Sequence, residues 1–320
     1  PHIAHPVEIT FDAKGIPQIW AETNSDVFFT IGWLHASERL FQMELIRRMA
    51  AGELSEVFGD RAYQVDLFQR KIGCRRIAEQ GMEGLEPQTR HLLEQYCRGI
   101  NAWIEHKTIL PPEFVLLRLT PRPWTLLDCL TIMVYQTWFS HEGRDQNPEY
   151  HGLIKKYGDT LEKQLREPLH WSPATIQENV LSSVFEDNRF PFRMAEASNS
   201  WAVSPRKSTT GAALHANDPH LLIARIPGFW YIMGIHSEEG LSFLGATTPG
   251  LPFGAMGHNG SIASSFTVAG VDIFDYYIYQ RHPDDRSQIL TENGYQPLTR
   301  IEEEIRVKGE ERPRKVTVYM

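Results

Sequence analysis

After a short opening hairpin, the hydrophobic periodicity of this chain turns from helical to strand-like near residue 198, and that change constrains the fold more than any other feature. Before it, apolar residues recur at helical spacing. Over residues 27–49, Leu34, Phe41, Leu45 and Met49 fall on one side, and Glu38, Arg39, Glu44, Arg47 and Arg48 make a charged face. Asn24, Ser25 and Asp26 supply a cap for that helix. Residues 53–58 read as a short helix closed by Gly59, residues 87–106 as a longer one, and residues 126–139, apolar on nearly all sides, as a buried helix. Two strands, 7–12 and 16–21, flank a Lys14-Gly15 turn ahead of them. After the change, strand-like runs occupy 201–204, 212–216, 229–236, 241–246, 262–268 and 275–279, and residues 304–307 and 315–319 read as a hairpin. A helical first half and a sheet-rich second half predict an α+β layered fold.

Residues 1–170 form the mostly helical region and 198–320 the sheet-rich one. Between them, 171–197 carry Pro173, Pro191 and scattered charges without periodicity, as a linker would. A chain of 320 residues suffices for one large domain or two ordinary ones. Its net charge of −8 and lack of a long basic run argue against nucleic acid as a partner. No window reaches the roughly 18 apolar residues of a membrane span. Cys74, Cys97 and Cys129 are odd in number and lack C-x-x-C spacing, so they read as core residues and leave the redox compartment open. The chain opens at Pro1 without a charged-then-apolar leader, so the expectation is a trimmed chain whose signal peptide has been lost.

The run Ala197-Ser198-Asn199-Ser200-Trp201-Ala202-Val203 stands at the change of periodicity. If the bond before Ser198 is cut, this serine becomes an N-terminus. It then carries a hydroxyl nucleophile and, in its α-amine, a base. The bland alternative is a surface serine at a loop-to-strand step. His220 lies downstream, and a Gly257-His258-Asn259-Gly260 turn leads into Ser265-Phe266-Thr267-Val268-Ala269-Gly270.

These runs together resemble the penicillin acylase family of N-terminal-nucleophile amidohydrolases. The first half is similar to the small subunit in Gly15-Ile16-Pro17-Gln18-Ile19-Trp20-Ala21, Arg39-Leu40-Phe41-Gln42-Met43-Glu44, Gly52-Glu53-Leu54-Ser55-Glu56-Val57-Phe58-Gly59, Gly99-Ile100-Asn101-Ala102-Trp103-Ile104 and Thr120-Pro121-Arg122-Pro123-Trp124. The second half is similar to the start of the nucleophile-bearing large subunit in Ser198-Asn199-Ser200-Trp201-Ala202-Val203, Asn217-Asp218-Pro219-His220 and Pro249-Gly250-Leu251-Pro252. The resemblance implies an αββα sandwich, self-cleavage of a precursor at Ala197-Ser198, hydrolysis of a small-molecule N-acyl amide, and export to the periplasm or beyond the cell. It also implies a longer large subunit, with a catalytic asparagine and arginine beyond Met320. The expectation is therefore the N-terminal part of a larger enzyme, whose partner is the remainder of that subunit.

The resemblance assigns roles by position. Ser198 is the nucleophile, and the backbone N–H of Val268 is the first oxyanion donor, although the same valine suits an ordinary sheet position. His220 stands where relatives have glutamine or histidine, and would hydrogen-bond the Ser198 amine or hydroxyl. Asn199 would position the cleavage site. Thr137, Trp138, His141, Leu221, Met256 and Phe266 would line an acyl pocket, and apolar side chains there suit an apolar acyl group. The chemistry needs no cofactor. Asp272 resembles a ligand of a structural calcium ion, in a loop shorter than the family's and lacking its second aspartate. Asp145, Asn147 and Glu149 are candidates for the small-subunit ligand.

Two other readings remain open. His215, Asp218 and His220 could ligate zinc in a metal-dependent hydrolase, although their spacing matches no H-E-x-x-H signature. A non-catalytic relative could bind ligands or partners through an unpaired strand edge at 315–320. An α/β serine hydrolase is disfavoured by the lack of G-x-S-x-G. Self-cleavage at Ser198 separates these classes.

Overall fold

The computed structural model describes residues 3–107, 109–139, 198–220, 228–267 and 279–320. The chain divides into two compact units: residues 1–136, 194–268 and 299–320 form the first, and residues 137–193 and 269–298 the second. The linker candidate at 171–197 lies outside the described residues.

The first unit begins with β1 (Glu8–Phe11) and β2 (Pro17–Ala21). Asp12 makes their turn, its Oδ1 accepting from the backbone N–H of Lys14 and Ile16 at 2.8 and 2.9 Å. Helix α1 (Asn24–Ala51) starts three residues earlier than the sequence suggests. Its cap is Thr23, whose hydroxyl accepts from the Asp26 N–H, and Asp26 in turn accepts from Ala4 N at 2.8 Å. It stops at Gly52, left-handed at φ 67°. Then come α2 (Ser55–Phe58), α3 (Tyr63–Ile72), α4 (Cys74–Gly81), α5 (Pro87–His106), α6 (Pro112–Leu117) and α7 (Leu126–Phe139), the last three residues of which belong to the second unit. Helices α5 and α7 keep the bounds read from sequence. Pro87 sits in the first turn of α5, and the Glu86 carboxylate caps it by accepting from Thr89 N. Helices α3, α4 and α6 had no counterpart in the sequence reading.

The strands continue with β3 (Ser198–Val203), β4 (Leu214–Pro219), β5 (Tyr231–Ser237), β6 (Ser242–Thr248), β7 (Leu251–His258) and β8 (Ala263–Ser264). In the second unit β9 (Gln288–Thr291) and β10 (Gly294–Pro297) pair antiparallel. Back in the first unit, β11 (Arg300–Ile305) pairs with β12 (Arg314–Tyr319). The main sheet has six strands in the order β1-β2-β5-β6-β7-β8, antiparallel except for the parallel β2–β5 pair. Helix α1 packs on this sheet and on α5. The core between them holds Ile19, Ala21, Tyr231, Met233 and Ile235 of the sheet, Ile31, Leu34 and Met43 of α1, and Leu93, Tyr96 and Ile100 of α5. The approach of α1 to α5 depends on two glycines. A Cβ at Gly32 would collide with the Tyr96 carbonyl, and one at Gly99 with the Phe29 carbonyl.

Two expected strands come out differently. Of the described residues 262–267, only Ala263 and Ser264 pair with β7, because Ser265 and Thr267 bond instead to β3 and Phe266 to Asn217 of β4. The C-terminal hairpin runs 300–305 against 314–319, not from 304. Past Ile305 its backbone meets α2: Lys308 N–H donates to the Ser55 carbonyl at 2.9 Å, and the Arg306 carbonyl lies 3.0 Å from Ser55 Oγ. The buried Asp66 carboxylate anchors this joint, accepting from the Leu54 N–H, the Ser55 N–H and the Ser55 hydroxyl. Ile305, Val307, Val316 and Val318 then close over Tyr63 and Leu67. Among the described residues no helix is long and apolar enough to cross a membrane.

Candidate active site around Ser198

Ser198 opens β3, paired with Pro219 across an antiparallel ladder that continues as Asn199 with Asp218, Ser200 with Asn217, and Ala202 with His215. Side chains alternate along a strand. Ser198, Ser200, Asn217 and His215 therefore share one face of the hairpin, and Asn199 and Asp218 share the other. The chain returns along β3 after β7. The Asn259 carboxamide accepts from Ser261 N and Ile262 N at 3.0 and 2.9 Å, and Gly260 takes φ 90°, which turns the chain from β7 into β8.

Residues 265–267 meet β3 through side chains. The Thr267 hydroxyl donates to the Ser198 carbonyl at 3.1 Å. Asn217 reaches across β3, its Nδ2 donating to the Asn199 carbonyl at 2.9 Å and the Phe266 carbonyl at 3.2 Å. Its Oδ1 is buried without a hydrogen-bond partner among the described residues. The hydroxyls of Ser200 and Ser265 are 2.8 Å apart, and Ser265 Oγ is 2.7 Å from His215 Nε2. Sequence reasoning named the runs containing Asn217, Ser265 and Thr267 without giving these residues a task. The strand register is what reveals them.

His220 follows the residue opposite Ser198, but its bonds lie on the other face. Its Nε2 is 3.0 Å from Asp218 Oδ2 and 3.1 Å from Asn199 Nδ2. A carboxylate only accepts, so in the neutral ring Nε2 carries the proton toward Asp218 and Nδ1 is the basic nitrogen. No hydrogen bond joins His220 to Ser198 among the described residues. Ser198 itself is half-buried.

Of the pocket candidates, Met256 is half-buried on β7 opposite Ala246, and Phe266 is exposed while its carbonyl is held by Asn217. Trp138 is buried in the last turn of α7, and Thr137 is exposed; both belong to the second unit. Val268, Leu221, His141 and the calcium candidates Asp272, Asp145, Asn147 and Glu149 lie outside the described residues. The zinc alternative loses its basis. His215 turns to Ser265 while His220 and Asp218 pair with each other, and among the described residues no three His, Cys, Asp or Glu side chains gather for a metal.

A family model described as Penicillin amidase matches residues 6–320. The chain is 29% identical over 331 residues to penicillin acylase 2 proenzyme of Pseudomonas sp. SE83, covering 97% of this chain and 42% of that protein. It is 27% identical over 349 residues to the acyl-homoserine lactone acylase QuiP of Pseudomonas aeruginosa, covering 98% of this chain and 39% of that one. The chain thus spans about two fifths of the length of these curated relatives. A solved thermostable penicillin G acylase from Alcaligenes faecalis aligns at a TM-score of 0.42 and 22% identity, over 53% of this chain and 94% of that one.

Proposed function

Because this chain belongs to the penicillin amidase family, we propose that it carries the nucleophile of an amidohydrolase that cleaves small N-acyl amides through an acyl-enzyme on Ser198. The observation that carries this reading is the position of Ser198 at the head of β3, paired with β4 and with its carbonyl accepting from the Thr267 hydroxyl. In the precursor, Ser198 Oγ attacks the Ala197 carbonyl carbon. A C–O ester bond forms, the C–N bond breaks, and the α-nitrogen takes the Oγ proton. Water then cleaves the ester, leaving the Ala197 carboxylate and a free Ser198 amine. An α-amine has a reference pKa of about 7.7–8.0, so a neutral fraction is present near neutral pH.

In the mature form that amine takes the Oγ proton through a bridging water as Oγ attacks the substrate carbonyl. The substrate amine leaves with a proton, and a second water releases the acid. The oxyanion would fall to the N–H of Val268, the residue after Thr267. The bonds that Asn217 and Thr267 make across β3 support this, since they fix the chain just before that donor. His220, held by Asp218, would offer Nδ1 to the amine or to the bridging water. Because the relatives are named acylases of penicillin and of acyl-homoserine lactones, the proposed substrate class is an N-acyl small molecule. Export of the enzyme, and its completion by the rest of the large subunit, are parts of the same proposal. No metal enters these steps; a structural calcium ion on Asp272 is a separate proposal, tested by calcium-dependent thermal stability.

Amine release from a panel of aryl-acyl and alkyl-acyl amides tests the reading. The full-length protein hydrolyses at least one member, and Ser198→Ala lowers kcat/KM by more than about 10³-fold. Turnover by Ser198→Ala at the wild-type rate would sink it.

A further inference from the structure

Ser200, Ser265 and His215 form a line of hydrogen bonds beside Ser198 that takes no part in the steps above. Each comes from a different stretch of the first unit. Ser200 follows Ser198 by two residues on β3 and so lies on the same face. His215 lies on that face of β4, opposite Ala202. Ser265 arrives on the segment that follows β8. Its Oγ is 2.8 Å from Ser200 Oγ and 2.7 Å from His215 Nε2. One hydroxyl therefore touches both strands of the hairpin, and with one proton to donate and lone pairs to accept it satisfies both at once.

This line matters because no backbone ladder joins the returning segment to the hairpin among the described residues. The β7–β8 ladder goes no further than Ser264, and β3 pairs with β4. Residues 265–267 are held instead by side chains: the bonds of Ser265, Asn217 Nδ2 on the Phe266 carbonyl, and the Thr267 hydroxyl on the Ser198 carbonyl. A ladder keeps its register whatever the side chains are, whereas a clasp of this kind keeps it only while its hydroxyls are present. Ser265 is the first anchor, two residues ahead of the threonine that holds Ser198 itself. We propose that Ser265 and His215, with Ser200, are positioning residues for the reaction of Ser198. They fix the register of residues 265–267 against β3, and with it the place of Ser198 relative to the oxyanion donor that follows Thr267. The inference rests on the amidohydrolase reading above. A misplacement of about 1 Å can cost about 10²-fold in rate, and it acts on the transition state rather than on binding. Ser200 and His215 are exposed and Ser265 is half-buried, so changing them leaves the core intact.

The test is the kinetics of the full-length protein on the amide it cleaves best, with kcat and KM measured separately. Ser265→Ala and His215→Leu are expected to lower kcat about 10- to 100-fold, with KM within about twofold of wild type and Tm unchanged. Ser265→Thr and His215→Gln keep a hydrogen-bonding atom near the same place and recover most of the rate. For a variant that matures slowly, the rate of cleavage at Ala197–Ser198 is read in the same way, because the same hydroxyl attacks. The positioning role is overturned if Ser265→Ala and His215→Leu keep the wild-type kcat while Ser198→Ala is inactive, or if the two conservative variants lose as much as the others. Turnover by Ser198→Ala at the wild-type rate overturns the amidohydrolase reading instead, and this inference with it.

Discussion

His35 sets a pH dependence that can be worked from its surroundings. The ring is fully buried, with Nδ1 2.9 Å from the Tyr96 hydroxyl and Nε2 2.9 Å from Thr247 Oγ1. The Thr247 hydroxyl donates to the Tyr231 carbonyl at 2.8 Å, so it accepts from Nε2–H. The Tyr96 oxygen accepts from Gly250 N–H at 3.0 Å and donates its own proton to Nδ1. Every donor and acceptor in this relay is used by a neutral ring, and a second ring proton would have no acceptor. Burial first, and then the charge of Arg39, push the His35 pKa down from 6.5 to about 3. The unfolded chain therefore binds the extra proton below about 6.5 while the folded chain refuses it down to about 3. Stability is intact above that window and falls as pH drops through it, by about 1.4 kcal/mol per unit and up to about 5 kcal/mol in all. The assay is urea denaturation of wild type and His35→Gln at about pH 7.5 and about pH 4.5. Near pH 7.5 the variant is weaker by about 1–3 kcal/mol, because it cannot satisfy both Tyr96 and Thr247. Near pH 4.5 that gap narrows by about 2.7 kcal/mol, while the carboxylates common to both proteins cancel. A gap that does not change with pH would refute the reasoning.

The contact between α1 and α5 is equally exposed to test. Gly99→Val drives side-chain carbon into the Phe29 carbonyl, and a loss of about 3 kcal/mol or more is expected by chemical denaturation; a change below about 1 kcal/mol would show that the helices can separate freely. Cutting the chain at Ala197–Ser198 leaves the parallel β2–β5 pair and the hairpin docked on α3 joining the two pieces. They should therefore co-elute in size exclusion without denaturant and separate in it; separation in native buffer would contradict the core described above.

What could be read from the sequence follows from how local each signal is. Helices α5 and α7 were legible to the residue because Pro87 and long apolar periodicity mark them. Helices α3 and α4 were not, since Arg70, Lys71, Arg75 and Arg76 dilute the apolar pattern over two short segments held by tertiary contacts, α3 against the C-terminal hairpin and α4 on α1 and through the Arg76–Glu303 ion pair. Strand β7 was not read as a strand: Gly254 and Gly257 interrupt its apolar pattern, and its end was placed in the Gly257–Gly260 turn. Those glycines exist because Phe243 lies across them from β6, where a Cβ at either would meet its ring. At the site, Ser198 and His220 were legible by residue type and motif. The bonds of Asn217, Ser265 and His215 depend on strand register and on a segment returning some fifty residues later, so spacing alone carries no trace of them. The same holds for the partners of His220: the family resemblance points it to Ser198, while strand alternation delivers Asp218 and Asn199.

The central claim is that Ser198 becomes an N-terminus. Denaturing mass spectrometry of the full-length gene product, with N-terminal sequencing of every piece, tests it most directly. The account predicts two pieces, the second beginning Ser-Asn-Ser-Trp, and a Ser198→Ala protein uncut at that bond. A folded wild-type chain that stays intact between Ala197 and Ser198 would contradict it.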